Sequence, residues 1–353
     1  MDLFVLNTNL DTIAIVDTYT SIIWTDRYQE CGDFEAYTAV TEQMLNVFRE
    51  EYYVQNRDSE HTMIVEGIRI KSDSEEGSHL TITGRSLESI LERRIIWGQK
   101  TLSGNFQNAI QELLNDCIIS PTNSARKIDN FIFEASDDPT ITSLTIDAQY
   151  TGDNLYDVIK NTCSERGIGF KVTLNDSKQF VFKLYAGVDR SYDQTANPYV
   201  IFSPNYENLL NSNYLSSKKT LKNTTLIGGE GEGSERRYIG VTDGSTGLDR
   251  RELFTDARDI SSDVGDGVIL TEDEYNAQLI QRGNEKLAEY TEVVSFEGEA
   301  ETSIMFKYGE DFFMGDIVQI SNEYGHESRA RVLELIRSES NEGISVYPTF
   351  KTV

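Results

Sequence analysis

KSDSEEG at residues 71–77 and RSESNEG at residues 337–343 line up position by position. Ser72 matches Ser338, Ser74 matches Ser340, Glu76 matches Glu342 and Gly77 matches Gly343, while Lys71/Arg337 and Asp73/Glu339 keep their charge. An apolar-alternating stretch enters each turn and another leaves it. Ile64, Ile68 and Ile70 precede the first, and Leu80 and Ile82 follow it. Arg331, Leu333 and Leu335 precede the second, and Ile344, Val346, Pro348 and Phe350 follow it on one face. Alternation with a period of two marks half-buried strands, so both stretches predict hairpins. Polar turns ending in Glu-Gly are common, and turn composition alone is one source of the match. The other is that the opening and closing β regions are copies of one fold.

Working outward from these turns, residues 1–98 predict a first β domain. Leu3 to Leu6 and Ile13 to Val16 flank the amide-rich NTNLD as a hairpin, and Ser86 is placed to cap a helix carrying Leu87, Ile90, Leu91 and Ile95. Residues 99–190 predict an α+β domain. One helix is capped by Asn105 and runs along Phe106, Ala109, Ile110, Leu113, Leu114, Cys117 and Ile118. A second presents Leu155, Val158, Ile159, Thr162 and Cys163 and stops at Gly167, and two strands then flank the turn NDSK. Residues 191–353 return to β structure, with a helical insertion around 262–290 in which Thr271 and Glu274 form a capping box. Pro348 cannot donate to a ladder, which puts the last strand at an edge or a bulge. The fold class is α+β, mainly β.

The chain has 353 residues, and 32 Lys+Arg against 59 Asp+Glu give a formal charge of −27. Such a surface repels a phosphate backbone, which excludes nucleic-acid binding through a basic groove. Cys31, Cys117 and Cys163 have no CxxC spacing, and His61, His79 and His326 lack the spacing of a zinc helix. No metal site, cofactor or disulfide framework is expected, and the thiols of Cys117 and Cys163, on the apolar stripes of their helices, read as buried and inert. No run of about 18 apolar residues exists to cross a bilayer. LIGGEGEGSERR (226–237) fails as a phosphate loop because Glu230 and Glu232 would face the phosphates and no Gly-Lys-Ser/Thr follows, so it reads as an acidic hairpin tip. DVGDG (263–267) lacks the spacing of a calcium loop and reads as a solvated turn. With so many acids, carboxylate pairs carry no information about glycoside hydrolysis, and nucleophile signatures are missing. No catalytic residue is assigned, and a non-enzyme is expected.

WTDRYQECGDFE (24–35), GRSLESILERRIIW (84–97), GLDRRELFTDARD (247–259) and GDIVQISNEYGHESRARVLE (315–334) resemble the tail-hub proteins of long-tailed phages infecting Gram-positive bacteria. Those proteins are relatives of the baseplate hub of contractile tails and of the N-terminal part of tail-associated lysins. The resemblance covers essentially the whole chain. It implies two tube-like β-barrels with peripheral α/β domains, assembled as a homotrimer below the ring of distal tail proteins. It also implies a channel through which tape-measure protein and DNA pass, the DNA without specific binding, and a tip, fibre or receptor-binding protein attached below. The location implied is the virion's distal tail tip or baseplate, after assembly in the host cytoplasm.

Duplicated barrels would let a trimer present six similar units to a sixfold ring. The acids then either line the channel or solubilise the outside. The sequence ends three residues after Phe350, so lytic or receptor-binding modules are expected on other subunits. Arg93 with Arg94, Arg236 with Arg237, and Arg250 with Arg251 are basic pairs suited to carboxylates, either of a neighbouring copy or of the same chain. The expected function is a structural tail hub. The alternatives are a hub of a contractile particle and, from a different class, a carbohydrate-binding or cell-wall-hydrolysing tail protein.

Overall fold

The structure, a computed structural model, describes residues 1–73, 77–265, 268–299 and 305–353, with backbone alone at 73, 210–213 and 294–299. The middle of the first echoed turn and the last two residues of DVGDG therefore lie outside the described residues.

The opening segment supplies β1 (Leu3–Leu6), β2 (Thr12–Val16), β3 (Ser21–Arg27), β4 (Asp33–Ala39), the short helix α1 (Glu42–Val47), β5 (Tyr53–Asn56), β6 (Thr62–Asp73) and β7 (Gly77–Ser86). The NTNLD turn joins β1 to β2 because the Asn7 side chain accepts from the Asn9 and Asp11 amides, closing the loop locally. The middle segment supplies β8 (Gln99–Asn105), α2 (Phe106–Leu114), β9 (Phe131–Glu134), α3 (Pro139–Thr142), β10 (Thr145–Thr151), α4 (Leu155–Glu165), β11 (Gly169–Leu174) and β12 (Phe180–Tyr185). Asn105 caps α2 by accepting from Asn108, and Gly167 past the end of α4 has φ of +66°, as the sequence predicts. The closing segment supplies β13 (Ile201–Phe202), β14 (Leu210–Ser217), β15 (Thr224–Gly228), β16 (Tyr238–Thr242), β17 (Glu252–Asp256), α5 (Glu272–Ala288), β18 (Val293–Glu299), β19 (Ile317–Ser321), β20 (Glu327–Ser340) and β21 (Gly343–Thr352). The Thr271–Glu274 capping box opens α5.

One sheet of 13 strands runs through both β regions, in the order β14-β18-β21-β20-β3-β4-β7-β6-β5-β1-β2, with β19 and β13 attached beside β20. Among the described residues no strand pairing closes either half on itself, so the two barrels expected from the resemblance appear as one open, shared sheet. Within it the wiring repeats. The first half runs β3-β4-β7-β6-β5-β1 and the second runs β14-β18-β21-β20-β19-β13. Corresponding neighbours are antiparallel throughout, except that β13 joins β19 in parallel where β1 joins β5 antiparallel. Chance turn composition does not copy a six-strand order, so the topology is duplicated, although the turn echo runs one residue out of step with it on the entering strands, where the bulges align Arg337 with Ile70. The turns differ by one residue, since Asp73 pairs Gly77 while Ser340 pairs Gly343.

Both first hairpin strands carry a bulge, between Val65 and Gly67 in β6 and between Val332 and Glu334 in β20. A bulge puts successive side chains out of step with strict alternation. Arg331, Leu333 and Leu335 therefore do not share a buried face: Ala330 and Val332 are buried before the bulge, and Leu335 and Arg337 after it. Pro348 lies opposite Leu335 and outside the Ser295–Phe296 contact of β18 with β21, so its missing N–H faces no ladder. The expected helix after Ser86 is a 3₁₀ turn, Leu87–Arg93. The turn ends at Arg93, so Ile95 lies beyond it, bridged to Asn154 and exposed, and Ser86 Oγ accepts from Gly32 N at 2.7 Å instead of capping.

The excursion between β14 and β18 holds more than a helix. β16-β15-β17 form a separate sheet that packs on α5 around Ile227, Tyr275 and Leu279. An adjoining face of α5 is polar and seats on the middle segment: Gln278 meets Gln149, Gln281 meets Arg166, and Glu285 accepts from Tyr150. The middle segment's own core takes in Leu87, Ile90 and Leu91 of the 3₁₀ turn and contains Cys117 and Cys163, with Cys31.

Candidate functional site

The two halves meet where β3 pairs antiparallel with β20, from Arg27 opposite Glu334 to Ser21 opposite Ser340. Besides β21 on one side, β20 reaches two partners on the other, because the bulge at Leu333 divides it. Glu327–Arg331 pair with β19 of its own half, and Glu334–Ser340 pair with β3 of the other.

Trp24 and Asp26 are two residues apart in β3 and point to the same face. Trp24 is fully buried, and Asp26 follows it to 3% exposure. Asp26 is fully partnered: Oδ2 accepts from Arg337 Nη1 at 2.5 Å, and Oδ1 accepts from Trp24 Nε1 at 3.0 Å and from the Ser59 hydroxyl at 2.7 Å. Burial alone would raise its pKa, but His61, Arg337 and Ser59 together hold it below the ordinary carboxylate value. The pair thus joins β3 to β20 across the seam. A buried ion pair adds little net stability, but breaking it is costly, so its effect is to fix which strands meet and in what register.

A second buried charge pair lies behind the first. His61 Nδ1 is 3.2 Å from Glu88 Oε1, with both side chains inaccessible, and Nδ1 makes no hydrogen bond of ordinary geometry. Glu88 Oε1 also accepts from the Val172 amide at 2.8 Å, tying the 3₁₀ turn to β11. Burial by itself would lower the imidazole pKa, but Glu88, with Asp26 and Glu60, pushes it up to about 9.

A raised histidine pKa contributes stability that is fully present below the unfolded value of about 6.5 and is lost as pH rises through about 9. The melting temperature is therefore expected to fall between pH 7 and pH 9.5. In His61→Asn the melting temperature is lower throughout, and that decline is absent. Circular-dichroism melts across the range check this, and a parallel decline in the variant would refute it.

The chain leaving β3 carries the joint to the middle segment. Arg27 donates to Glu334 at 2.6 Å and to Asp33 at 2.5 Å. Tyr28, fully buried, donates to the Gly167 carbonyl at 3.0 Å, and Gln29 donates to that of Ile168 at 3.1 Å. The Tyr28 ring is clasped by Gly169 and Gly315, where an added Cβ would lie 2.3 Å from a ring carbon. Gly315 also has φ of +89°, open to glycine at no steric cost. WTDRYQECGDFE is thus the segment that joins all three parts.

The arginine pairs lie elsewhere. Arg93 pairs with Glu51 at 2.8 Å and Arg250 with Glu252 at 2.6 Å. Arg236 pairs with Asp256 at 2.6 Å and also donates to the Gly228 and Gly229 carbonyls, pinning the base of the acidic hairpin tip. Arg237 lies near Glu230 and over the Tyr275 ring. Arg94 and Arg251 donate to carbonyl oxygens, those of Arg126 and Lys218. Sequence reasoning missed Asp26, His61, Glu88 and Arg337. The available signal was a carboxylate alternating with a tryptophan inside a strand. Among the described residues no group of three or more His, Cys, Asp and Glu is placed to hold a metal ion, and no helix is long and apolar enough to cross a membrane.

This fold is that of phage tail proteins. Prophage tail protein gp18 from Listeria monocytogenes EGD-e matches with a TM-score of 0.58 at 14% identity, over 99% of this chain and 94% of that one. The tail protein from Neisseria meningitidis MC58 matches at 0.58 and 12%, over 99% and 96%. The 43 kDa tail protein of prophage MuSo2 from Shewanella oneidensis matches at 0.58 and 12%, over 100% and 98%. Curated proteins gave no match. The chain belongs to the Siphovirus ReqiPepy6 Gp37-like protein family, whose model matches residues 2–350.

Proposed function

We propose that this tail protein is a structural hub at the distal end of a non-contractile phage tail, and that three copies close a ring of six similar β units. The observation that carries this is the repeated six-strand order, with its two copies locked side by side at the β3–β20 seam. A ring of three such chains presents six near-equivalent faces to a sixfold ring of distal tail proteins. The Siphovirus description of the family supports a tail without a sheath. In this reading each half becomes a barrel wall only in the ring, and residues 1–98 and 191–353 are its two β domains. Residues 99–190, and the excursion that contains β15–β17 and α5, sit outside as decoration.

The function is mechanical. The ring adapts symmetry, lines or closes the channel for tape-measure protein and DNA, and anchors a tip or fibre. The charge of −27 suits a conduit, because each phosphate contact by Lys or Arg would add affinity and slow passage. Contacts between copies draw on the arginine pairs, Arg94 and Arg251 foremost, since among the described residues these two bond carbonyl oxygens and no carboxylate.

Imaging of intact tails with the chain tagged tests the proposal. Threefold density at the tail end is the expected result. A sixfold or solitary location would overturn it.

A further inference from the structure

The repeated wiring predicts a strand pairing between molecules, and this inference rests on the ring proposed above. Inside the chain, β3 of the first half pairs with the far part of β20 in the second. The counterpart of β3 is β14, and the counterpart of Glu334–Ser340 is Gly67–Asp73 of β6. Among the described residues β14 ends the sheet, bonded to no strand but β18. β6 pairs with β5 only as far as Ile64, so beyond its bulge it has no strand on its outer side among the described residues. The second half therefore offers an open edge where the first half has a filled one, and the first half offers the matching receptor edge. One chain cannot use both on itself, because the seam already holds the two halves edge to edge.

We propose that β14 of one copy pairs antiparallel with Gly67–Asp73 of the next copy, reproducing the β3–β20 seam between molecules. The register follows from the ladders. Stepping from β6 through β7, β21 and β18 places Ile23–Arg27 on Asn213–Ser217 and Glu334–Ser340 on Gly67–Asp73, and across the register shift in β14 it places Ser21 on Leu210. Trp24 opposite Arg337 then becomes Tyr214 opposite Ile70, and Thr25 opposite Ile336 becomes Leu215 opposite Arg69.

Exposure agrees with this transfer. Trp24 and Arg337 are 0% and 6% exposed at the internal seam, whereas Tyr214 and Ile70 are 40% and 52% exposed, although Tyr214 stacks on His326. An aromatic and a β-branched residue facing each other across antiparallel strands form a favourable pair. Strand edges of this length with no neighbouring strand are otherwise sites of uncontrolled association, so a closing partner resolves a liability. Internal and external seams would alternate around the ring.

The test is cross-linking of the full-length Ile70→Cys/Tyr214→Cys variant, with Ile70→Cys/Leu215→Cys as control. Residues 214 and 215 point to opposite faces of the strand, so only the first pair can approach disulfide distance. The native cysteines are all buried and do not compete. After mild oxidation, denaturing gels are expected to show a ladder ending at trimer for the first variant and monomer for the control, with light scattering reporting the assembly before oxidation. A trimer by light scattering without the 70–214 cross-link overturns the strand pairing and leaves the ring standing. A monomer by light scattering, in the variant and in the unmodified chain alike, overturns both.

Discussion

Replacing Asp26 with alanine is expected to lower stability by about 3–5 kcal/mol, because it leaves the Arg337 guanidinium buried without its carboxylate. Trp24 Nε1 and the Ser59 hydroxyl lose the same acceptor, and an unsatisfied buried donor costs about 1–3 kcal/mol in its own right. The double change Asp26→Leu/Arg337→Met removes both charges and fills similar volume. By comparison with other buried pairs it should fall within a few kcal/mol of the wild type, on either side. Urea unfolding measures the difference as a shift in midpoint at constant slope. Equal losses in the single and double variants would mean that the charge pair itself is not what Asp26 contributes. A stable double variant that no longer assembles would mark the pair as a device for register.

The second large effect is expected at Gly315. Alanine there places a Cβ 2.3 Å from Tyr28 Cε2 and 2.6 Å from Cζ, in a ring with no space to move. Overpacking of this kind costs about 1–3 kcal/mol. Holding an L-residue at positive φ adds about 1–2 kcal/mol. Shrinking the ring separates the two causes. In a Tyr28→Leu background the steric part of the Gly315→Ala penalty should disappear while the backbone part stays, giving a coupling of about 0.5–3 kcal/mol in a double-mutant cycle. Additive losses would show that the Tyr28 ring is not the obstacle. Gly169, which presses on the same ring atom from the middle segment, is expected to show the steric part alone, because its backbone is not at positive φ.

What could be read from the residues alone divides by range. Local devices were legible: the NTNLD hairpin, the Asn105 cap, the Gly167 stop and the Thr271–Glu274 box each depend on atoms within a few positions. The echo of 71–77 in 337–343 pointed to a repeat, and the strand order bears that out. Two single-residue insertions were illegible. The bulges at Glu66 and Leu333 leave composition untouched yet reverse which side chains are buried, which is why Arg331 and Leu333 were assigned to the wrong face. Glu88 was hidden by the period, since a 3₁₀ turn in GRSLESILERR turns it inward where an α-helix of the expected stripe would not. The seam was illegible for another reason. β3 and β20 are separated by most of the chain, and no local preference of either strand names the other. Asp26 alone betrayed it, as a carboxylate on the Trp24 face.

The covalent link between the two halves changes the thermodynamics of any larger object made from them. Two separate polypeptides meeting at such an edge would lose translational and rotational freedom, whereas here the β3–β20 edge forms within one molecule at the high effective concentration its own tether imposes. In the proposed ring every second joint would be complete before molecules collide, and the concentration needed for closure would be set by the remaining joints alone. The tether also breaks the equivalence of the copies. The turn from β3 to β4 is short, while its counterpart from β14 to β18 carries a sheet and a helix, so one position can be ornamented while its twin stays bare.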